Sequence, residues 1–303
     1  MELDVAYSMY RPLLFSIAYR MLGSVTNAED LVQDTFVTLQ QKAMDEEEEN
    51  IRDLKAYLCK IVTNRCLDYL KSAKAKREVY IGPWLPEPLL QEYTMTPAST
   101  GAEGMDPLHT IELEDTVSYA FLVILERLTP VERAVFILRE AFVFEYDVIA
   151  DFLDKKESAC RKMFSRLKRK IENESEMEWV ANVKSEQLAL RFLHAATTGE
   201  MEDLLQLLSE DVTLYSDGGG KITAAVKPII SNQRVLAFIE GLIAKGDGLE
   251  SVRIVKVNGQ PGLLIKVSIE ASPTIVSLAF KNGRVQEIYV MRNPDKLRHV
   301  KSD

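Results

Sequence analysis

Cysteine is scarce in this chain, with three in 303 residues, and Cys59, Cys66 and Cys160 are too few and too irregularly spaced for a disulfide framework or paired zinc knuckles. A reducing compartment is the simplest setting. Apolar runs of membrane-spanning length are also missing, and acidic Glu2 and Asp4 stand where a secretory leader carries its basic region, so the sequence predicts a soluble cytoplasmic protein without membrane contact. Nor is there an excess of positive charge: the formal net charge is -9, which taken alone argues against a phosphate-rich partner. The distribution says otherwise. Acid gathers at 45–49 and between the helical regions, base at 71–77 and 155–170, and local patches decide contact with phosphates.

What the chain does have is apolar content, 47%, enough for two or three separate cores at this length. Helical periodicity runs over 5–22 through Leu13 or Leu14, Ile17 and Met21, with Pro12 opening or bending the helix and Gly23 stopping it. Thr26 to Glu29 has capping-box spacing and predicts a helix with Leu31 or Val32, Phe36 and Leu39 on one side and Asp30, Gln33 and Asp34 on the other. The acidic run 45–49 predicts a solvated loop. A long helix is expected over 51–72, with Leu54, Leu58, Ile61 or Val62 and Leu70 inward and Arg52, Lys55, Lys60, Arg65 and Lys71 mostly outward. Together these predict an all-helical domain over 1–78. Residues 79–107 then read as a linker rich in Pro, Gly, Ser and Thr. Within it Trp84, Leu85 and Pro86 belong to a Pro-stiffened segment that carries large apolar area with little entropy left to lose, so docking is expected.

A second all-helical domain is predicted over 108–171. Periodicity resumes from 111 to 128, Thr129 and Pro130 supply an N-cap and first-turn proline, and a helix over 131–142 places Val135 and Leu138 inward. Residues 145–170 fit a helix-turn-helix, with Ile149, Ala150, Leu153, Cys160 and Met163 in the buried positions. Asp154 takes the turn position usually given to Gly, and Asp visits the left-handed conformation at modest cost. The outward face of the second helix is then Lys156, Glu157, Ser158, Arg161, Lys162, Ser165 and Arg166, suited to base edges in a major groove, followed by Lys168, Arg169 and Lys170 for phosphates. A merely solvated amphipathic helix would share the charge but not the turn pattern.

The run from Asn27 to Phe36, the run from Ala56 to Tyr57 and Leu58 with Asn64 through Leu70, then Leu128-Thr129-Pro130 and the helix-turn-helix, together resemble a bacterial alternative sigma factor of the extracytoplasmic-function class. That resemblance implies core RNA polymerase and promoter DNA as partners. It assigns Asp30, Gln33, Asp34 and Phe36 to the polymerase, and Asn64, Arg65, Asp68, Lys71, Lys74, Lys76 and Arg77 to opening and reading the -10 element. The outward face of the second helix would read the -35 element. The division is physically sensible, because melting needs cations along a single strand whereas duplex reading needs a groove-filling helix.

After a short linker over 172–182 the pattern changes class. Helices are predicted over 185–198, 201–208 and 232–244. Alternating strands follow through Leu263, Ile265, Val267 and Ile269 and through Val276, Leu278 and Phe280, with Asn282-Gly283 as a tight hairpin leading to Val285, Ile288 and Val290. Helices followed by a curved antiparallel sheet make an α+β domain over 183–303. It resembles the SnoaL-like cone fold, whose relatives include polyketide cyclases and ketosteroid isomerases. With Asp217-Gly218-Gly219-Gly220-Lys221 and Asn293-Pro294-Asp295-Lys296-Leu297 added to the tryptophan segment, the chain resembles the sigma-factor group with a fused SnoaL-like extension that modulates activity in place of a separate anti-sigma protein. The resemblance implies contact between that extension and the sigma domains through these three segments.

A phosphate-cradling role for the glycine triplet lacks the spacing of a P-loop. Asp217 as a general base lacks a histidine nearby in sequence, and His194 and His299 suit structural or surface roles. Fold kinship does not carry chemistry with it. No enzyme activity and no cofactor or metal are expected, although a small ligand in the cone is conceivable. The alternative is a stand-alone helix-turn-helix regulator with a ligand-sensing C-terminal domain.

Overall fold

The computed structural model describes residues 3–44, 51, 53–77, 80–92, 118–174, 183–245, 249–267 and 272–300. The predicted acidic loop at 45–49 lies outside them. The chain divides into two compact units: 1–78 with 103–115 and 124–173, and 79–102 with 116–123 and 174–303.

The first unit is helical. Helix α1 (Leu3–Leu22) accommodates Pro12 in its interior and ends at Gly23, whose φ of 63° permits the reversal. Helix α2 (Val25–Met44) starts one residue before the expected cap. Ser24 is the capping side chain, accepting from the Asn27 amide at 3.3 Å and from the Asn27 side-chain amide at 2.7 Å, so the Thr26–Glu29 capping box is a misreading. Val32, Phe36 and Leu39 face inward as their spacing predicts, while Leu31 is only half-buried. Helix α3 (Leu54–Arg77) begins later than expected because Asp53 caps it, accepting from the Ala56 amide at 3.0 Å. It also continues through 77, so the backbone of the expected basic loop is helical.

Further along the chain, α4 (Tyr119–Leu125) precedes α5 (Pro130–Glu140), α6 (Tyr146–Leu153) and α7 (Glu157–Glu174), and the boundary between units falls within α4. The capping box of α5 is complete: Thr129 accepts from the Glu132 amide at 3.4 Å and Glu132 accepts from the Thr129 amide at 3.1 Å. In the helix-turn-helix Asp154 sits at φ 50°, ψ 55°, the left-handed corner its position demands. Ile149, Ala150 and Cys160 are buried, but Phe152 fills the site expected for Leu153, and Leu153 and Met163 are half-buried. Within this unit α5 packs on α1 and α3. Arg133, only 2% exposed, donates to the Met21 carbonyl at 2.5 Å at the carbonyl end of α1 and pairs with Glu126 at 2.5 Å. Lys60 on α3 meets Asp151 on α6 at 2.9 Å.

The second unit is built on a seven-stranded sheet in the order β1-β4-β5-β6-β7-β2-β3, from β1 (Leu90–Glu92), β2 (Leu208–Asp217), β3 (Ile229–Ile230), β4 (Leu249–Val257), β5 (Gln260–Val267), β6 (Thr274–Lys281) and β7 (Arg284–Met291). Helices α8 (Val183–Thr198), α9 (Met201–Leu207) and α10 (Asn232–Lys245) cover one face. Their Phe192, Leu193, Leu204 and Val235 interlock with Leu214, Leu263, Val276, Leu278, Ile288 and Val290 in one apolar core. The sheet is mixed, which corrects the antiparallel expectation: β2 runs parallel to β7, the connection between them passing through β3, α10 and the strands β4, β5 and β6. The hairpin at Asn282-Gly283 forms as its sequence predicts, with φ of 52° and 72° and Lys281 opposite Arg284. Strands β2, β3 and β4 are additional to the sequence reading, and β1 comes from the stretch read as linker.

Candidate nucleic-acid interface and linker site

All seven candidate -35 residues on and just before α7 are exposed: Lys156, Glu157, Ser158, Arg161, Lys162, Ser165 and Arg166. The helix buries Cys160 and Leu167, which leaves this polar face turned away from the core. Its arginines are not loose. Arg161 donates through Nε and Nη2 to Glu157 Oε1 at 2.8 and 2.6 Å and lies 4.5 Å over the Tyr146 ring. Arg166 reaches back to Glu132 on α5 at 2.6 Å, and Lys168 to Glu140 at 3.5 Å. Partial burial opposes ionisation of Glu132, but the Thr129 hydroxyl and amide and the Arg166 guanidinium outweigh it and hold its carboxyl below the usual range. Tyr146 and Glu132 are not among the residues that the amino-acid pattern singles out. A ring about two turns before a helix-turn-helix corner was the available signal for the first.

On α3, Asn64 and Arg65 are half-buried and Asp68 and Lys71 exposed, the last two paired with each other at 2.8 Å. Residues 74, 76 and 77 continue the helix backbone in the same direction. Arg65 bridges to α2, meeting Asp34 at 3.3 Å and Thr38 at 2.8 Å, so a residue assigned to promoter melting and one assigned to the polymerase touch each other. Asp30, Gln33 and Asp34 are exposed on α2. Phe36 is a different case: it is 5% exposed and packs 4.8 Å from the Tyr7 ring, so it belongs to the helical core rather than to an accessible surface.

In the second unit the three unusual segments meet. Asp217, fully buried at the end of β2, accepts from the Tyr80 hydroxyl at 2.5 Å, the Leu85 amide at 2.9 Å, the Gly219 amide at 3.0 Å and Lys296 Nζ at 2.7 Å. Lys296 also donates to the Leu85 carbonyl at 2.6 Å and lies 3.9 Å from the centre of the Trp84 ring. Tyr80 in turn accepts from Asn293 at 2.7 Å. Burial, reinforced by the Asp217 carboxylate, pushes the Tyr80 phenol far above its usual value. Lys221 pairs with Asp295 at the surface, and Leu297 is buried.

The glycines are needed for close approach. A Cβ on Gly219, at φ +60°, would lie 2.4 Å from Asn293 Nδ2, and one on Gly218 would lie 2.3 Å from the Ile222 carbonyl oxygen. The loop therefore packs against the Asn293 turn, and it does not hold Lys221 free for a phosphate. Buried Asp217 with four donors is likewise committed to structure.

The rest of the linker is held as firmly. The Tyr119 hydroxyl donates to the Pro86 carbonyl at 2.6 Å while its ring tilts against Tyr289 at 5.4 Å. His299 meets the Pro88 carbonyl at 2.8 Å. Leu89 exchanges bonds with Asn258, whose amide donates to the Leu89 carbonyl at 2.8 Å and whose side chain accepts from the Leu89 amide at 3.1 Å. Leu90, Gln91 and Glu92 then pair antiparallel with Val257, Lys256 and Val255. Backbone groups at 85, 86 and 88 are thus met by side chains and those at 89 by Asn258, while 90–92 add a strand to the sheet edge. Asn258 was visible in sequence as the first half of a second Asn-Gly turn signal.

Comparison with known proteins places these features. The Sigma-70 region 2 family matches residues 6–76 and the Sigma-70, region 4 family matches residues 118–171. The chain is 30% identical over 299 residues to the ECF RNA polymerase sigma factor SigJ of Mycobacterium tuberculosis, covering 96% of this chain and 91% of that protein. It is 28% identical to a probable ECF RNA polymerase sigma factor, SigI, of the same species, covering 99% of this chain and 96% of that one. The crystal structure of the Mycobacterium tuberculosis extracytoplasmic function sigma factor SigJ superimposes with a TM-score of 0.74 at 27% identity, covering 97% of this chain and 98% of that one.

Proposed function

Because the chain belongs to the extracytoplasmic-function RNA polymerase sigma factors, we propose that its α1–α3 domain melts and reads the -10 element, that α7 reads the -35 element, and that the C-terminal domain governs both through the linker. As an alternative sigma factor it works with core RNA polymerase on promoter DNA, and the chemistry of transcription belongs to the polymerase. We read the protein as a non-enzymatic cytoplasmic subunit; no helix among the described residues is long and apolar enough to cross a membrane.

The observation that carries the regulatory part is β1. The segment joining the two promoter-reading domains contributes an edge strand to the C-terminal sheet, and its Leu85 backbone bonds to both members of that domain's buried Asp217–Lys296 ion pair. A tethered regulator acts at an effective concentration on the order of millimolar, so even a modest docking free energy biases the chain between docked and released linker. The experiment is run-off transcription reconstituted with core polymerase, comparing the full chain with one ending at residue 182. Transcript yield is expected to change on truncation; equal yields at every concentration of the two proteins would defeat the regulatory assignment.

A further inference from the structure

At the start of α7 one anion stands on an otherwise basic face. Glu157 is the first residue of the helix, in the turn that enters the major groove in helix-turn-helix proteins. A carboxylate there is repelled by DNA phosphates unless it has a use. Its Oε1 takes both Nε and Nη2 of Arg161, one turn on, at 2.8 and 2.6 Å. Tyr146, the first residue of α6, lies under the same guanidinium at 4.5 Å, and Arg139 lies 4.7 Å from that ring and donates to the Phe144 carbonyl at 2.8 Å. Arg161 is therefore held in plane by a ring and along one edge by a carboxylate, on a side chain that remains 59% exposed.

Geometry decides what is left over. The side edge of the guanidinium, Nε with Nη2, is occupied by Glu157. The end edge, Nη1 with Nη2, keeps two N–H groups spaced for the O6 and N7 acceptors of guanine. Arg166 differs, because its partner Glu132 lies on α5 and braces it against the body of the domain. An exposed i,i+4 ion pair on its own contributes little to stability. Its value here is orientation, since a flexible arginine must lose rotamer freedom before it can make a two-point contact.

We propose that Arg161 reads one guanine of the upstream promoter element end-on, and that Glu157 and Tyr146 are positioning residues setting the discrimination at that base pair. The proposal rests on the promoter-reading role of α7 and deepens it. The test is selection of duplexes by holoenzyme, reconstituted from core polymerase and the full-length chain, from a library randomised across the upstream element. Wild type is expected to enrich guanine at one position, and R161A to lose that preference by about 5- to 150-fold while other positions keep theirs. E157A and Y146L should weaken discrimination at that same position several-fold, whereas E157Q and Y146F, which keep the acceptor oxygen and the ring, should retain most of it. Thermal midpoints within a degree of wild type for these surface variants show that folding is not the cause. Equal loss at every position, enrichment of another base at the Arg161-dependent position, or full discrimination in E157A and Y146L would overturn the proposal. Failure of wild-type holoenzyme to enrich any upstream sequence would defeat the promoter-reading role itself.

Discussion

Buried polar side chains carry most of the specific information in this molecule. Asp217 and Lys296 form an ion pair whose side chains are 0% and 9% exposed, and each is also bonded to the linker backbone at Leu85. Removing one partner strands the other charge in the interior, which typically destabilises by roughly 3–5 kcal/mol. Asp217→Ala should therefore lower the unfolding midpoint of the second unit and speed amide exchange at 85–92; unchanged exchange in that segment would show that the pair does not hold it. Glu132 gives a pH prediction. Its carboxyl is held below the usual range, so its contribution is fully present above the ordinary value of about 4.3 and is lost as pH falls through the lowered one. Acid unfolding followed by circular dichroism should be shallower for Glu132→Gln over that window, and equal slopes would refute the linkage. The thiols are predicted to be inert: burial pushes Cys59 up to about 12 and raises Cys66 as well, so neither should react with a thiol reagent at pH 8 until the chain is unfolded.

Elements explain why some of this was legible from the amino-acid order and some was not. Where the determinant is local, the reading succeeds. Thr129-Pro130 caps α5, Asp154 turns the helix-turn-helix, and Asn282-Gly283 closes a hairpin, each through the conformation of two or three adjacent residues. Where the determinant is a distant partner, it fails. Nothing around Leu90 announces a strand, because β1 exists only by pairing with β4, some 165 residues later in sequence. The parallel pairing of β2 with β7 is equally non-local, and so is the burial of Phe36 against Tyr7. The three sequence motifs at 84–86, 217–221 and 293–297 could be singled out as unusual, yet only tertiary structure reveals that Asp217 is their common acceptor. Left-handed corners offer a direct check of the local part. Asp154→Ala should be less stable than Asp154→Gly by about 1 kcal/mol, since only the methyl group opposes φ of 50°. Thermal melts of the two variants measure that difference, and identical midpoints would mean the corner relaxes.

The whole molecule poses a problem of reach. Within the first unit α5 touches α1 and α3, and Lys60 pairs with Asp151, so the two promoter-reading domains lie side by side. The -10 and -35 elements are separated by on the order of 80 Å of duplex at 3.4 Å per base pair, far more than two touching domains span. They must separate to bind both. Tyr80, three residues after α3, is already bonded to Asp217, and Tyr119 at the start of α4 is bonded to Pro86. On the regulatory reading proposed above, docking of the linker on the C-terminal sheet through Leu85 and β1 restrains both domains, and its release lets them part. On that reading the controlling step is undocking of the linker, opposed by the bonds of Leu85 to the Asp217–Lys296 pair and by the Leu89–Asn258 exchange. Dyes on cysteines introduced at exposed Ser72 and Lys170 would report the separation by energy transfer, the native thiols being buried. The free wild-type chain should show a short distance, core polymerase should lengthen it by tens of ångströms, and Asp217→Ala should broaden the free distribution toward longer values. If the variant and the wild type gave the same distribution both free and on the polymerase, the docked linker would not be what limits the separation of the two domains.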